Sequence, residues 1–271
     1  MTNLVVSPQW LSQHLDDTKV VIVDCRFSLN EPQWGQNEYN NNHIQGAFYL
    51  DLNSDLSSPV EKHGGRHPLP AVEKLTEKLS SMGVDGDTLV VAYDSSRLAF
   101  ASRLWWLMRY LGHEKVAVLD GGFSAWLAAG YPVTTELPNR KPALFIPQVQ
   151  ADKVVDIEYV KKHKDLAEFV LVDSREPARY RGETEPIDPV AGHIPGAVNF
   201  PWQEVTNNEG MVRPVEEQKG RWEKAINADE LVVYCGSGVT ACVNLLSLEM
   251  VGVKNAKLYA GSWSDWCSYL I

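Results

Sequence analysis

Short apolar runs recur along the chain, each followed by a longer stretch with helical spacing. Val20-Val21-Ile22-Val23, Leu89-Val90-Val91 and Val116-Ala117-Val118-Leu119 read as buried strands. Between them the pattern predicts helices over residues 71–82, 96–111 and 122–129. Gly83, Gly112 and Gly130 act as their stops. A further helix is predicted over residues 8–15, with Ser7 as N-cap and Pro8 at its first position. Strands alternating with helices predict βαβ units and a mainly parallel sheet, covered by helices on both faces. In such sheets a functional site lies beyond the carboxyl ends of the strands.

The pattern occurs twice. Val20 to Arg26 (VVIVDCR) returns as Phe169 to Arg175 (FVLVDSR), an apolar strand ending in Asp-x-Arg. His43-Ile44-Gln45-Gly46-Ala47 returns as His193-Ile194-Pro195-Gly196-Ala197, and Asp87 to Val91 returns as Asp229 to Val233. Gly121-Gly122-Phe123-Ser124-Ala125-Trp126 returns as Gly261-Ser262-Trp263-Ser264-Asp265-Trp266. The order never changes and the offset is about one domain length, too long for a solenoid. Residues 131–153 lie between the copies and carry Pro132, Pro138, Pro142 and Pro147, a linker composition. Leu144, Phe145 and Ile146 predict that this linker lies along a domain surface.

Composition narrows the function. A chain of 271 residues with 44% apolar and 22% charged residues can bury a sizeable core without metals or staples. A net charge of -10 argues against a nucleic-acid partner and against an anionic membrane surface. The N-terminal stretch has no basic region ahead of a long apolar one, and no run suits a membrane span, so the expectation is a cytoplasmic protein. Cys25, Cys235, Cys242 and Cys267 do not form a disulfide scaffold or a zinc spacing.

One stretch carries chemistry. Leu231-Val232-Val233-Tyr234 reads as a strand, Cys235 stands at its end, and Gly236-Ser237-Gly238 leads into a helical run over 239–250. A thiol at such a turn faces backbone N–H groups with no intrahelical partner, and these favour an anion. The residues thus describe a nucleophilic cysteine in an anion cradle, with a buried structural cysteine before a glycine turn as the plain alternative.

Taken together, the paired Asp-x-Arg strands, both His-Ile-x-Gly-Ala boxes, the Gly-x-Phe/Trp-x-x-Trp boxes and the Cys235 loop resemble the tandem-domain rhodaneses. This is the family of thiosulfate and 3-mercaptopyruvate sulfurtransferases. The resemblance implies an α/β fold of two tandem rhodanese-like domains: residues 1–135, a linker over 136–152, and a catalytic domain over 153–271. It implies that Cys235 takes a sulfane sulfur from a small anionic donor, thiosulfate or 3-mercaptopyruvate, becomes a persulfide, and passes the sulfur to cyanide, a thiol or thioredoxin. No metal or organic cofactor is implied. The loop Gly236, Ser237, Gly238, Val239 and Thr240 is similar to the mercaptopyruvate subgroup and would bind substrate, Ser237 by a hydrogen bond, while Thr240 caps the helix. Arg179, in Ala178-Arg179-Tyr180-Arg181-Gly182, would hold the donor's sulfonate or carboxylate.

The family's mercaptopyruvate enzymes carry a second arginine nine residues further on. Here that region reads Pro186-Ile187-Asp188-Pro189, so the second contact is missing or comes from Arg181. His43 matches a position from which a Ser–His–Asp relay is drawn in the family, yet His193 repeats it, which favours a structural turn residue. Arg66 and His67, in Gly65-Arg66-His67-Pro68, are expected in a solvated loop, with a place in the site as the alternative. In the first copy Asp94 falls at or next to the cysteine position, and a carboxylate cannot carry a sulfane sulfur, so that copy is expected to be catalytically silent. Two rival readings stand against this one. A rhodanese-like cysteine phosphatase needs an arginine closing a Cys-x5-Arg loop, where this chain has Ala241 and Cys242. A non-enzymatic sulfur carrier or scaffold does not explain an intact Cys235 loop.

Overall fold

The computed structural model describes residues 3–226 and 228–271. The chain forms two compact units: residues 1–58, 70–150 and 208–212, and residues 59–69, 151–207 and 213–271. Each half of the sequence thus contributes a short segment to the unit built by the other.

The two five-stranded sheets share one strand order. In the first unit it runs Val5–Val6, Val116–Leu119, Leu89–Tyr93, Val20–Asp24, Ala47–Tyr49, with every pair parallel. In the second it runs Val154–Val155, Lys257–Tyr259, Glu230–Tyr234, Phe169–Asp173, Val198–Asn199, again all parallel. Val20–Asp24 is buried at every position, so both faces of its sheet are covered. Trp126, Ile22 and Val91 belong to the core of the first unit, and Leu171, Val232 and Trp263 to that of the second.

The Asp-x-Arg strand ends are structural. Arg26 Nη2 donates to Asp24 at 2.7 Å and to the Asn42 carbonyl at 2.6 Å; Arg175 Nη2 donates to Asp173 at 2.6 Å and to the Gly192 carbonyl at 2.7 Å. Each guanidinium lies over an aromatic ring, Phe123 at 4.1 Å or Trp263 at 4.8 Å. All four side chains are buried, where a charge persists only when paired and hydrogen-bonded. The histidine boxes are equally alike: His43 stacks on Tyr39 and bonds its carbonyl, and His193 does the same with Tyr180.

Two helix starts differ from the sequence pattern. The helix expected over 96–111 begins only at Ala101 and runs Ala101–Tyr110. Its predicted first turn is a loop wound around Asp94, with Arg97 and Leu98 at φ 58° and 70°. The helix after Cys235 is Ala241–Met250. Thr240 occupies its N-cap position, but the side chain makes no capping bond, so the expected cap is corrected. Between residues 136 and 150 the chain lies on the first unit: Ala143 N donates to Ser80 O, Gln148 N to Leu111 O and Gln150 N to Tyr110 O, and Phe145 is buried. Among the described residues no helix is long and apolar enough to cross a membrane.

Candidate active site

Cys235 follows the central strand of the second sheet, whose last residue, Tyr234, is in register with Asp173. The backbone there is held from both sides. Cys235 N donates to Ser262 Oγ at 3.1 Å, and its carbonyl accepts from Trp263 N at 3.0 Å. Ser262 is the unusual partner, a non-glycine residue at φ 57° whose hydroxyl also donates to Tyr259 O. Gly238 has φ +75°, and a β-carbon there would lie 2.3 Å from Ala260 O. Glycine alone lets the loop turn this tightly. Among the described residues, no side chain accepts from the backbone N–H groups of Ser237, Val239 or Thr240. Cys235 is 2% exposed, so only a small donor or a slim acceptor reaches its sulfur.

The other thiols are placed differently. Cys25 is pushed well above an ordinary thiol by burial and then by the carboxylates of Asp24, Asp94 and Asp55. Burial raises Cys267 to about 11. Cys242 Sγ lies 3.4 Å from Gly238 O inside the helix. Cys25 and Cys267, whose thiols burial holds protonated, are poor nucleophiles.

Arg66 and His67 are not in a solvated loop. The segment 59–69 is fastened to the helix Ser262–Cys267 and to the residue that follows it: Gly64 N donates to Asp265 Oδ1 at 2.7 Å, Arg66 N to Ser264 Oγ at 3.1 Å, and His63 Nδ1 lies 2.7 Å from Ser268 Oγ. Gly65, at φ +83°, lets this backbone pass against Gly261 O. The segment thereby brings His67, buried, to the loop, its Nδ1 2.7 Å from Ser237 Oγ. It also brings Arg66 beside Gly236, with Nη2 3.1 Å from where a β-carbon on that residue would sit. Arg179, on the short helix Pro177–Tyr180, approaches the same point at 3.6 Å.

Two carboxylates hold these guanidinium groups. Glu185 accepts from Arg179 Nη2 at 2.6 Å and from Arg175 Nη1 at 3.2 Å. Asp188 accepts from Arg66 Nη1 and, through its other oxygen, from Arg179 Nη2 at 3.3 Å. Burial would raise Glu185, but the Arg179 hydrogen bond and the amides of Asp188 and Ile187 outweigh it and hold it below the usual range. For Asp188 burial prevails over both arginines and its carboxyl is raised.

The remaining candidates lie outside this cluster. Arg181 is paired with Glu183 in solvent, its side chain 54% exposed, so it is not the second guanidinium. His43 belongs to the first unit, where Nδ1 bonds Tyr39 O at 2.7 Å and Nε2 bonds Glu136 O at 3.0 Å; both nitrogens are committed to backbone. The histidine beside Ser237 is His67.

A buried thiol in the loop that leads into the helix Ala241–Met250, with two guanidinium groups at the neighbouring Gly236 and a Ser237–His67 pair in the same loop, has the parts that nucleophilic transfer from a small anion requires. The rhodanese-like domain family matches residues 7–129 and 156–269, and the chain belongs to that family. It is 42% identical over 267 residues to a probable 3-mercaptopyruvate sulfurtransferase of Pseudomonas aeruginosa, covering 97% of this chain and 94% of that one. It is 32% identical to a rat (Rattus norvegicus) thiosulfate sulfurtransferase, covering 97% and 91%. The crystal structure of a 3-mercaptopyruvate sulfotransferase from Escherichia coli superposes with a TM-score of 0.84 at 31% identity, covering 97% of this chain and 99% of that one. The protein is a sulfurtransferase with two rhodanese domains, and the α/β architecture expected from the sequence is the one observed.

Proposed function

We propose that the protein moves a sulfane sulfur from 3-mercaptopyruvate or thiosulfate to cyanide or a thiol through a persulfide on Cys235. The observation that carries this reading is the setting of Cys235: a buried thiol in a loop where, among the described residues, no side chain accepts from the amides of Ser237, Val239 or Thr240, with Arg179 and the Ser237–His67 pair alongside. Relatives bearing the names of both donors support sulfur transfer without separating the two.

In the first half-reaction Cys235 sulfur, as thiolate, attacks the donor sulfur. An S–S bond forms and the donor's C–S or S–S bond breaks. From 3-mercaptopyruvate the electron pair leaves on carbon as the pyruvate enolate, which takes up a proton; from thiosulfate it leaves as sulfite. Ser237 and His67 hold a mobile proton within one hydrogen bond and supply it to the enolate. Arg179 binds the donor's anionic head. The amides of Ser237, Val239 and Thr240 and the N-terminus of Ala241–Met250 stabilise the persulfide anion. In the second half-reaction the acceptor attacks the outer sulfur and Cys235 is released as thiolate. A thiol acceptor, a reduced thioredoxin among them, must present a slim, exposed sulfur to reach so buried a site. The first unit is catalytically silent on this reading, with Asp94 in place of a thiol.

Cys235→Ala tests the assignment. Thiocyanate formation from cyanide and either donor is expected to vanish while far-UV circular dichroism is unchanged. Thiocyanate formed at the parent rate would remove Cys235 from the reaction.

A further inference from the structure

The second guanidinium of the site comes from a distant part of the chain. Arg66 is 122 residues from its partner Asp188, and it reaches Gly236 more closely than Arg179 does. Its main chain is fixed through Ser264, Gly65 and Gly64, so its approach is built into the fold of the second unit. One oxygen of Asp188 holds Arg66 and the other holds Arg179, so a single carboxylate, its side chain 2% exposed, spans the pair.

We infer that Arg66 and Arg179 together bind the carboxylate of the sulfur donor, and that Asp188, bridging them, makes the site selective for a monoanionic 2-oxo-acid donor over a dianionic one. This rests on the reading of Cys235 as the sulfur carrier. Two guanidinium groups face two carboxylates, Asp188 and Glu185, and Arg175 is matched by Asp173, so the cluster holds no surplus positive charge. A single carboxylate completes the free edges of two forks whose other edges are occupied. A dianion such as thiosulfate brings a second negative charge next to Asp188 and Glu185 in a partly desolvated place, where like charges repel strongly. The raised Asp188 carboxyl agrees with a group that already carries the strain of burial beside Glu185. Arg66 is a donor-binding residue on this account, and Asp188 a positioning and selectivity residue.

The test uses the full chain with Arg66→Met, Arg66→Lys and Asp188→Asn. KM and kcat are measured for 3-mercaptopyruvate and for thiosulfate, and discharge of preformed persulfide to cyanide is followed in a single turnover. Arg66→Met is expected to raise the KM for 3-mercaptopyruvate by about 10- to 100-fold, the worth of one charge-assisted contact, and to leave discharge at the parent rate. Arg66→Lys recovers part of that loss. Asp188→Asn raises the ratio of thiosulfate to 3-mercaptopyruvate kcat/KM. An unchanged KM in Arg66→Met overturns the inference, as does an equal loss in loading and discharge, which would mark Arg66 as structural. A wild-type protein that gains no sulfur on Cys235 fails the carrier reading itself and is told apart by that result.

Discussion

The loops that follow the central strands of the two sheets begin at the same place and use their backbone in opposite ways. Tyr93 is in register with Asp24, and Tyr234 with Asp173, so Asp94 and Cys235 are equivalent positions. Asp94 is buried, and its carboxylate accepts from Ser96 N at 2.7 Å, Leu98 N at 3.1 Å, Phe100 N at 2.9 Å and Ala101 N at 2.8 Å. The first loop has therefore filled its own anion cradle. Burial still raises the Asp94 carboxyl despite those four amides. In the second loop a thiol stands at that position, Ser237 bonds His67, and among the described residues no side chain accepts from the amides of Ser237, Val239 and Thr240. The fold supplies the cradle in both units: in the first the side chain at its first position fills it, and on the proposed reading the second keeps it for the transferred sulfur.

The largest effect expected from this contrast is on Asp94→Cys. Copying the thiol into the first loop withdraws a carboxylate from four buried amides, each such bond worth about 1.5–3 kcal/mol, so denaturant unfolding should show a loss of at least about 3 kcal/mol. In a Cys235→Ala background the new thiol should form thiocyanate from 3-mercaptopyruvate at least about 10²-fold more slowly than Cys235 does, because the described residues of the first loop include no histidine to pair with a serine hydroxyl. Transfer from 3-mercaptopyruvate by Asp94→Cys in that background at the parent rate would show that the cradle alone is sufficient. A smaller effect is expected from Ser237→Ala: persulfide formation from 3-mercaptopyruvate slows by about 10²-fold, the ordinary worth of a positioned proton donor. Transfer from thiosulfate, whose leaving sulfite needs no proton on carbon, slows much less. Equal slowing with both donors would assign Ser237 to holding the loop instead.

Much of this was readable from local pattern. The duplicated strands, the Asp-x-Arg ends and the Cys235 turn are each contiguous in sequence, and alternation of apolar runs with helical spacing is enough to place them. The start of the helix Ala101–Tyr110 was not, because Asp94 competes for the amides of its expected first turn and Arg97 and Leu98 enter the left-handed region. His67 was missed as the partner of Ser237, 170 residues away, and Arg66 as that of Asp188. Nothing in Gly65-Arg66-His67-Pro68 itself reports those contacts; they depend on where Gly64 and Arg66 are tied to Asp265 and Ser264. The signal within reach was the unexplained Asp188 where a second arginine was expected, since a buried carboxylate beside Arg179 calls for another cation.

The central claim is that Cys235 alone carries the transferred sulfur. Incubation of the protein with 3-mercaptopyruvate, followed by alkylation and peptide mass spectrometry, tests it most directly. The peptide bearing Cys235 should gain the mass of one sulfur atom and lose it again on addition of cyanide, with the peptides bearing Cys25 and Cys267 unchanged. A sulfur found on another cysteine, or none on Cys235 while the protein turns over, would contradict the account.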